Sequence, residues 1–194
     1  MILLIALAAG LAAGVVLARW RGHSYQPPEL RVSWLAFLAF LPQFILLYLP
    51  YFRIRVSDQV SAVCLLASLL IFLGFAWVNR GLPGMSILLI GLALNLTVMA
   101  ANGGFMPISP QTAGQLVPDG ALLDFQSGDR FGVKDIYLPP LETRFEWLAD
   151  RFLTPAWFSY RAAFSLGDVF IAIGAFGLLA WTGLPEKNNR GISQ

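Results

Sequence analysis

Charge is scarce in this chain. Asp, Glu, Lys and Arg make up only 12% of its 194 residues, about half the share found in an ordinary soluble domain. Hydrophobic residues make up 57%, a balance that favours a lipid bilayer over water. The net charge is only +2 and the basic residues are scattered between apolar runs, so no electrostatic footprint for a nucleic acid exists. We therefore expect a bilayer as the main partner and no nucleic-acid partner.

Cysteine and histidine are nearly absent. Cys64 is the single cysteine, which excludes an intrachain disulfide and a thiolate metal cluster. His23 is the single histidine, which excludes a histidine-built metal site and a Ser-His-Asp triad within one chain. No glycine-rich loop joins a strand to a helix, so a phosphate site is not supported. We expect neither a metal nor a cofactor.

Long apolar runs are what the chain has in plenty. Because a helix rises 1.5 Å per residue and the hydrocarbon core is roughly 30 Å thick, these runs predict five transmembrane helices. They lie at about 2–18, 34–52, 60–78, 84–101 and 164–184. Arg19 and Arg21 follow the first run rather than precede it, unlike the charge of a secretory signal, so we interpret this run as a mature helix. The predicted fold class is an all-α integral membrane protein.

The first predicted helix has one face of small residues, Ala6, Gly10, Gly14 and Ala18. Such a face lets a neighbouring helix approach closely in lipid. It offers a surface for a second copy of the chain or for another membrane protein, although Gly and Ala are also common in membrane helices without such a contact.

Pro, Gly, Asp and Arg enter together between residues 102 and 163, which predicts one extramembrane segment. Ser109-Pro110 predicts the start of a short helix through Leu116. Strand-like runs at 121–126 and 131–138 predict a small β-hairpin. A 3.6-residue period then predicts an amphipathic interfacial helix at about 141–153, on the apolar positions Leu141, Phe145, Leu148 and Phe152.

Orientation follows from the basic residues of the short loops, because Lys and Arg concentrate on the cytoplasmic side. One side carries Arg53 and Arg55, and the other carries Arg19, Arg21, Arg31, Arg80, Lys187 and Arg190. The richer side is assigned to the cytoplasm. The N-terminus is then predicted outside, segment 102–163 on the outer face, and the tail at 185–194 in the cytoplasm.

Asp168 is the only ordinarily charged side chain inside the five predicted helices. A carboxylate costs about 2.5–3.5 kcal/mol at mid-bilayer, and less near the edge. Three interpretations follow: a cap of the last helix together with Ser165, a structural ion pair with Lys134 or Arg144, or a role in catalysis or ion handling.

Asparagines near the end of the fourth run form a second polar feature. Asn95 and Asn102 share a helical stripe with Gly91, and a buried amide needs a partner, so the stripe predicts either contact between helices or a functional cavity. The candidate residues for binding a substrate or latching the loop are Asn95, Asn102, Gly103, Gly104, Met106, Pro107, Lys134, Arg144 and Ser165.

Three elements are distinctive together: Asn79-Arg80-Gly81-Leu82-Pro83-Gly84, Asn102-Gly103-Gly104-Phe105-Met106-Pro107 and Ser165-Leu166-Gly167-Asp168. With them the chain resembles, over nearly its whole length, a family of bacterial multi-pass membrane proteins known only as a domain of unknown function. The resemblance implies location and topology rather than chemistry. The first hypothesis is therefore an uncharacterised polytopic protein with a structural or interaction role in the cell envelope.

Phe164-Ser165-Leu166-Gly167-Asp168 is also similar to the last-helix motif of lipoprotein signal peptidases, Phe-Asn-x-Ala-Asp. That family uses its aspartate in a catalytic pair at the outer membrane face. The similarity implies a membrane-embedded aspartic peptidase-like enzyme, with Asp168 and Asp150 as the pair and Asp129 or Asp135 as the next choices. A third hypothesis is binding or transport of an ion or small solute.

Overall fold

The computed structural model describes residues 2–48, 56–118, 120–158 and 160–181. Six α-helices lie in these ranges: α1 (Ile2–Trp20), α2 (Trp34–Tyr48), α3 (Asp58–Val78), α4 (Met85–Ala101), α5 (Pro110–Gly114) and α6 (Leu166–Ala180). The short strands are β1 (Met106–Ile108), β2 (Arg130–Phe131), β3 (Asp135–Tyr137), β4 (Phe152–Leu153) and β5 (Ala163–Phe164), and a 3₁₀ turn covers Glu146–Leu148. The protein is mostly helical, as predicted.

Each of the five predicted apolar runs contains a helix. By length and composition, α1 and α3 are long and apolar enough to cross a membrane, while Trp34–Ile45, Met85–Ala101 and Leu166–Ala180 are shorter apolar helices. The predicted ends at 49–52 and 182–184 lie outside the described residues, as do Arg53, Arg55 and the tail at 185–194.

The last helix, α6, packs between α1 and α4. Helix α4 also packs against α3, and α3 packs against α2. Gly10 lies against Phe176 and Gly14 against Leu179, so α1 and α6 run in the same direction. A Cβ built on Gly10 would lie 2.8 Å from the carbonyl oxygen of Phe176. The small-residue face of α1 therefore does receive a neighbouring helix, and that helix belongs to the same chain.

Helices α4 and α6 also meet through glycine. Gly91 lies against Gly167 and Gly84 against Gly174, so these two helices run in opposite directions. A Cβ on Gly91 would lie 2.5 Å from the carbonyl oxygen of Gly167. This close approach brings the middle of α4, with Asn95, against the N-terminus of α6.

The predicted hairpin exists, but its strands and turn differ from the prediction. Strand β3 pairs antiparallel with β2 and parallel with β1, and the turn lies at residues 132–134, where Gly132 has a φ of 71°. Glycine accepts this left-handed conformation without strain. The run at 121–126 forms no strand. Helix α5 begins directly after the predicted cap, Ser109, and ends at Gly114 rather than at Leu116.

The prediction of an amphipathic helix at about 141–153 is wrong. This stretch instead holds irregular backbone, the turn Glu146–Leu148 and strand β4, which pairs with β5. Phe145 has a φ of 55°, a left-handed conformation that a helix cannot contain. Asn102 also binds both backbone polar groups of Arg144. These distant partners outweigh the local apolar period, since tertiary contacts routinely override helix propensity.

Candidate functional site

Four charged residues meet where segment 102–163 contacts the helices, and we name them the lysine cluster: Lys134, Asp135, Asp150 and Asp168. The Lys134 ammonium lies 2.6 Å from Asp150 Oδ2, 3.6 Å from Asp135 Oδ1 and 3.9 Å from Asp168 Oδ2. One cation thus faces three carboxylates. The cluster brings together Lys134, Asp150 and Asp168 from the predicted site, together with Asp135, one of the two next choices for a carboxylate partner.

Strand β1 positions the cluster through its backbone. Met106 N–H donates to the Lys134 carbonyl at 2.8 Å, and Pro107 C=O accepts from the Asp150 N–H at 3.0 Å. Lys134 closes the hairpin turn and Asp150 follows the 3₁₀ turn, so β1 holds these two loops side by side. Met106 and Pro107 are therefore positioning residues whose side chains are buried.

Asp168 lies in the first turn of α6 and forms a capping box with Ser165, which confirms the predicted cap. Its Oδ2 accepts from the Ser165 N–H at 3.2 Å, and its Oδ1 accepts from Asn95 Nδ2 at 2.8 Å. Asn95 Oδ1 in turn accepts from the Ser165 hydroxyl at 2.9 Å. Protein groups therefore use both polar atoms of the Asn95 amide, which links α4 to the start of α6 as an interhelical contact.

Asn102 holds the loop that contains Arg144. Its side chain donates to the Arg144 carbonyl at 2.8 Å and accepts from the Arg144 N–H at 3.0 Å. Gly103 and Gly104 follow with φ of 74° and 91°, and Gly104 packs against Ala62 of α3. Arg144 contributes its backbone here while its side chain is exposed. Of the two predicted cationic partners of Asp168, the nearby one is Lys134.

Burial differs sharply within the cluster. The Asp150 side chain is 0% exposed, whereas that of Lys134 is 42% exposed. Burial, helped by Asp135 and Asp168 and opposed by Lys134, raises the pKa of Asp150 to about 7. Burial also lowers the pKa of Lys134, but the three carboxylates outweigh it and hold that pKa well above its ordinary value. At neutral pH Lys134 is therefore an ammonium, and Asp150 is protonated in a large share of molecules.

The geometry limits what the cluster can do. A catalytic base must touch its substrate, and the enclosed Asp150 carboxyl presents no surface to one. Lys134 occupies the place between carboxylates that a metal ion would need. Among the described residues, no group of three or more His, Cys, Asp or Glu side chains is arranged to hold a metal. Asp129 lies elsewhere, where its Oδ2 accepts from the Gln126 N–H.

A second attachment was missed from the sequence. Arg130 forms a 2.9 Å ion pair with Asp58 at the start of α3, donates to the Val133 carbonyl, and stacks over the ring of Phe105. It ties the hairpin to a helix more than seventy residues earlier. The one sequence signal for Arg130 was its place just before the turn at Gly132. Nothing in the neighbouring sequence indicates that Asp58 is its partner.

Comparisons with known proteins identify relatives without an assigned activity. A family of unknown function, DUF5317, matches residues 28–180. An uncharacterised protein of Thermotoga maritima is 30% identical over 150 residues, which cover 76% of this chain and 75% of that protein. No solved structure matches.

Proposed function

We propose that this chain, which belongs to the family of unknown function DUF5317, is a five-span integral membrane protein with a structural or interaction role in the cell envelope. Segment 102–163 lies on the outer face in this proposal, and the N-terminus lies outside. The helices anchor the segment, and the lysine cluster, Asn102 and Arg130 hold it in one arrangement against the helix ends.

The observation that carries the proposal is a set of exposed tryptophans at one end of the helices. Trp20 ends α1, Trp34 begins α2, Trp77 lies next to the end of α3 and Trp181 follows α6. Each of them is more than half exposed. Tryptophan concentrates at the interface between lipid and water, so these four residues support a membrane boundary there.

Side-chain contacts link these helix ends to each other. Asn79 lies just after α3, and Arg31 lies just before α2. The Asn79 side chain donates to the Arg31 carbonyl at 3.0 Å and accepts from the Arg31 N–H at 2.8 Å. Tyr25, which follows α1, donates to the carbonyl of Leu179 near the end of α6 at 2.9 Å. Arg19, Arg21, Arg31 and Arg80 lie at this same end, which supports a cytoplasmic orientation by the positive-inside rule.

Apolar side chains cover the helix surfaces between the two ends. Large ones are exposed on every long helix, for example Leu4, Phe37, Val63, Ile90 and Ile173. A monomer in water rarely exposes apolar patches larger than a few hundred Å², whereas lipid tails accept them. The 21 residues of α3 extend about 31 Å, close to the hydrocarbon thickness.

Cysteine accessibility tests the proposed topology. In a Cys64→Ser background, Ser24→Cys and Ser127→Cys place single thiols at exposed positions of the two ends. A membrane-impermeant maleimide should label position 127 in intact spheroplasts and position 24 only in inverted vesicles. Ser193→Cys should behave like Ser24→Cys. Labelling of positions 24 and 127 from the same side would contradict the five-span arrangement.

A further inference from the structure

Two enclosed oxygens in the lysine cluster have no hydrogen-bond donor in the described part of the chain. They are Oδ1 of Asp135 and Oδ1 of Asp150. Lys134 hydrogen-bonds to Asp150 through Oδ2 instead, and its ammonium lies 3.6 Å from Asp135 Oδ1, close enough for an ion pair but too far for a hydrogen bond. A buried carboxylate oxygen without a donor is costly, and here two such oxygens belong to neighbours of one ammonium.

The other charged groups near the pair do not supply a donor. Asp168, from α6, already accepts hydrogen bonds on both oxygens and has no donor to offer. Helix α4 contributes the neutral Asn95. Arg151, next to Asp150, pairs with Glu146 instead. Lys134 therefore remains the one cation facing three carboxylates among the described residues, which leaves the cluster short of positive charge.

We propose that Asp135 and Asp150 hold one proton between their Oδ1 atoms, so that the lysine cluster is a proton-binding site that attaches the hairpin to the loop at residues 146–150. A protonated carboxyl group has an O–H donor, whereas an ionised one only accepts. One proton thus provides a donor for the other oxygen and removes one negative charge. Two carboxyl groups that share an enclosed site cannot both ionise easily, and they titrate as a pair.

The titration of the pair is consistent with this assignment. Burial raises the pKa of Asp135, although the charge of Lys134 opposes this effect. Burial raises the pKa of Asp150 to about 7. The site therefore fills below neutral pH and empties above it, and the two anions left behind repel each other across Lys134.

Infrared spectroscopy of the intact protein in lipid nanodiscs tests this site directly. A protonated carboxyl group has a C=O stretching band that a carboxylate lacks. As pH rises from about 5 to about 9, the spectrum of the wild-type protein should lose the band intensity of one carboxyl group per molecule, with a midpoint near pH 7. Asp150→Asn and Asp135→Asn should each abolish that loss. Asp124→Asn, the same change at an exposed aspartate of the same segment, should leave it unchanged.

The wild-type titration decides the proposal even if one variant fails to fold, and the two variants are independent routes to the same loss. A wild-type spectrum without a carboxyl band that titrates in this range would overturn the shared proton. A titrating band that survives in both Asp135→Asn and Asp150→Asn would also overturn it, because another group would then bind the proton.

Discussion

The long helices and segment 102–163 are held by different kinds of contact. Helix α6 meets α1 and α4 through glycine faces, where backbone touches backbone, and Asn95 adds one polar contact between α4 and the start of α6. The segment meets the helices through a few buried apolar side chains, Phe105, Met106 and Leu148, and through single polar groups: the lysine cluster, the amide of Asn102 and the guanidinium of Arg130. Steric changes should therefore damage the helix packing most, whereas changes of charge and pH should mainly affect the segment.

The largest expected effect is a methyl group between α4 and α6. Gly91→Ala would place a Cβ 2.5 Å from a backbone oxygen of α6, and overpacking against backbone costs about 3 kcal/mol. Thermal unfolding in detergent should show a clear loss of stability. Gly74→Ala is the matched control, since a Cβ on Gly74 of α3 meets no atom within 4 Å, and we expect it to be neutral or stabilising by up to about 1 kcal/mol. Equal effects of the two changes would contradict glycine packing.

Removal of the cation should loosen the segment and spare the helices. Lys134→Met leaves three carboxylates without their ammonium, and we expect a loss of about 2 kcal/mol, less than for a fully buried pair because Lys134 is partly exposed. Limited proteolysis should cut segment 102–163 faster. Arg151→Met removes the surface pair with Glu146 and should cost about 0–1 kcal/mol. Equally fast cleavage of the segment in Arg151→Met and in Lys134→Met would contradict the role of the lysine cluster.

A smaller and more local effect is expected at Asn102. Asn102→Ala leaves the backbone groups of Arg144 without their partner, at a cost of about 1–2 kcal/mol. Amide hydrogen exchange should quicken in the loop at residues 141–150. Thr97→Val removes only a hydrogen bond within α4, to the Ala93 carbonyl, and should leave the loop unchanged. Unchanged exchange in Asn102→Ala would mean that other contacts hold the loop.

The two regions also differ in how far the sequence predicts them. The helices follow from apolar runs, and the cap at Ser165 and Asp168 follows from residues three apart; both are local signals. The prediction of a helix at 141–153 is wrong because Phe145 adopts a left-handed conformation and β4 pairs with β5. The apolar period of the sequence reveals neither feature.

The lysine cluster shows the same limit. Lys134 and Asp150 were both candidates, but their contact depends on β1 holding two distant loops together. A single sequence gives no sign of that register.

The most direct test of the difference between the regions is hydrogen exchange at several pH values, corrected for the intrinsic pH dependence of exchange. Because the pKa of Asp150 is about 7 in the folded protein and about 4 in an unfolded chain, the folded state binds more protons between these values. Stability from this group is therefore complete below about pH 4 and is lost as pH rises to about 7. Lys134 stays charged throughout this range.

We predict that opening of segment 102–163 increases as pH rises from about 4 to about 7, while the opening of α3 and α4 does not change. The same measurement on Asp150→Asn should show a much smaller pH dependence in the segment, because the group whose pKa is about 7 is gone. Protection of the segment that is constant or that grows with rising pH would contradict the account.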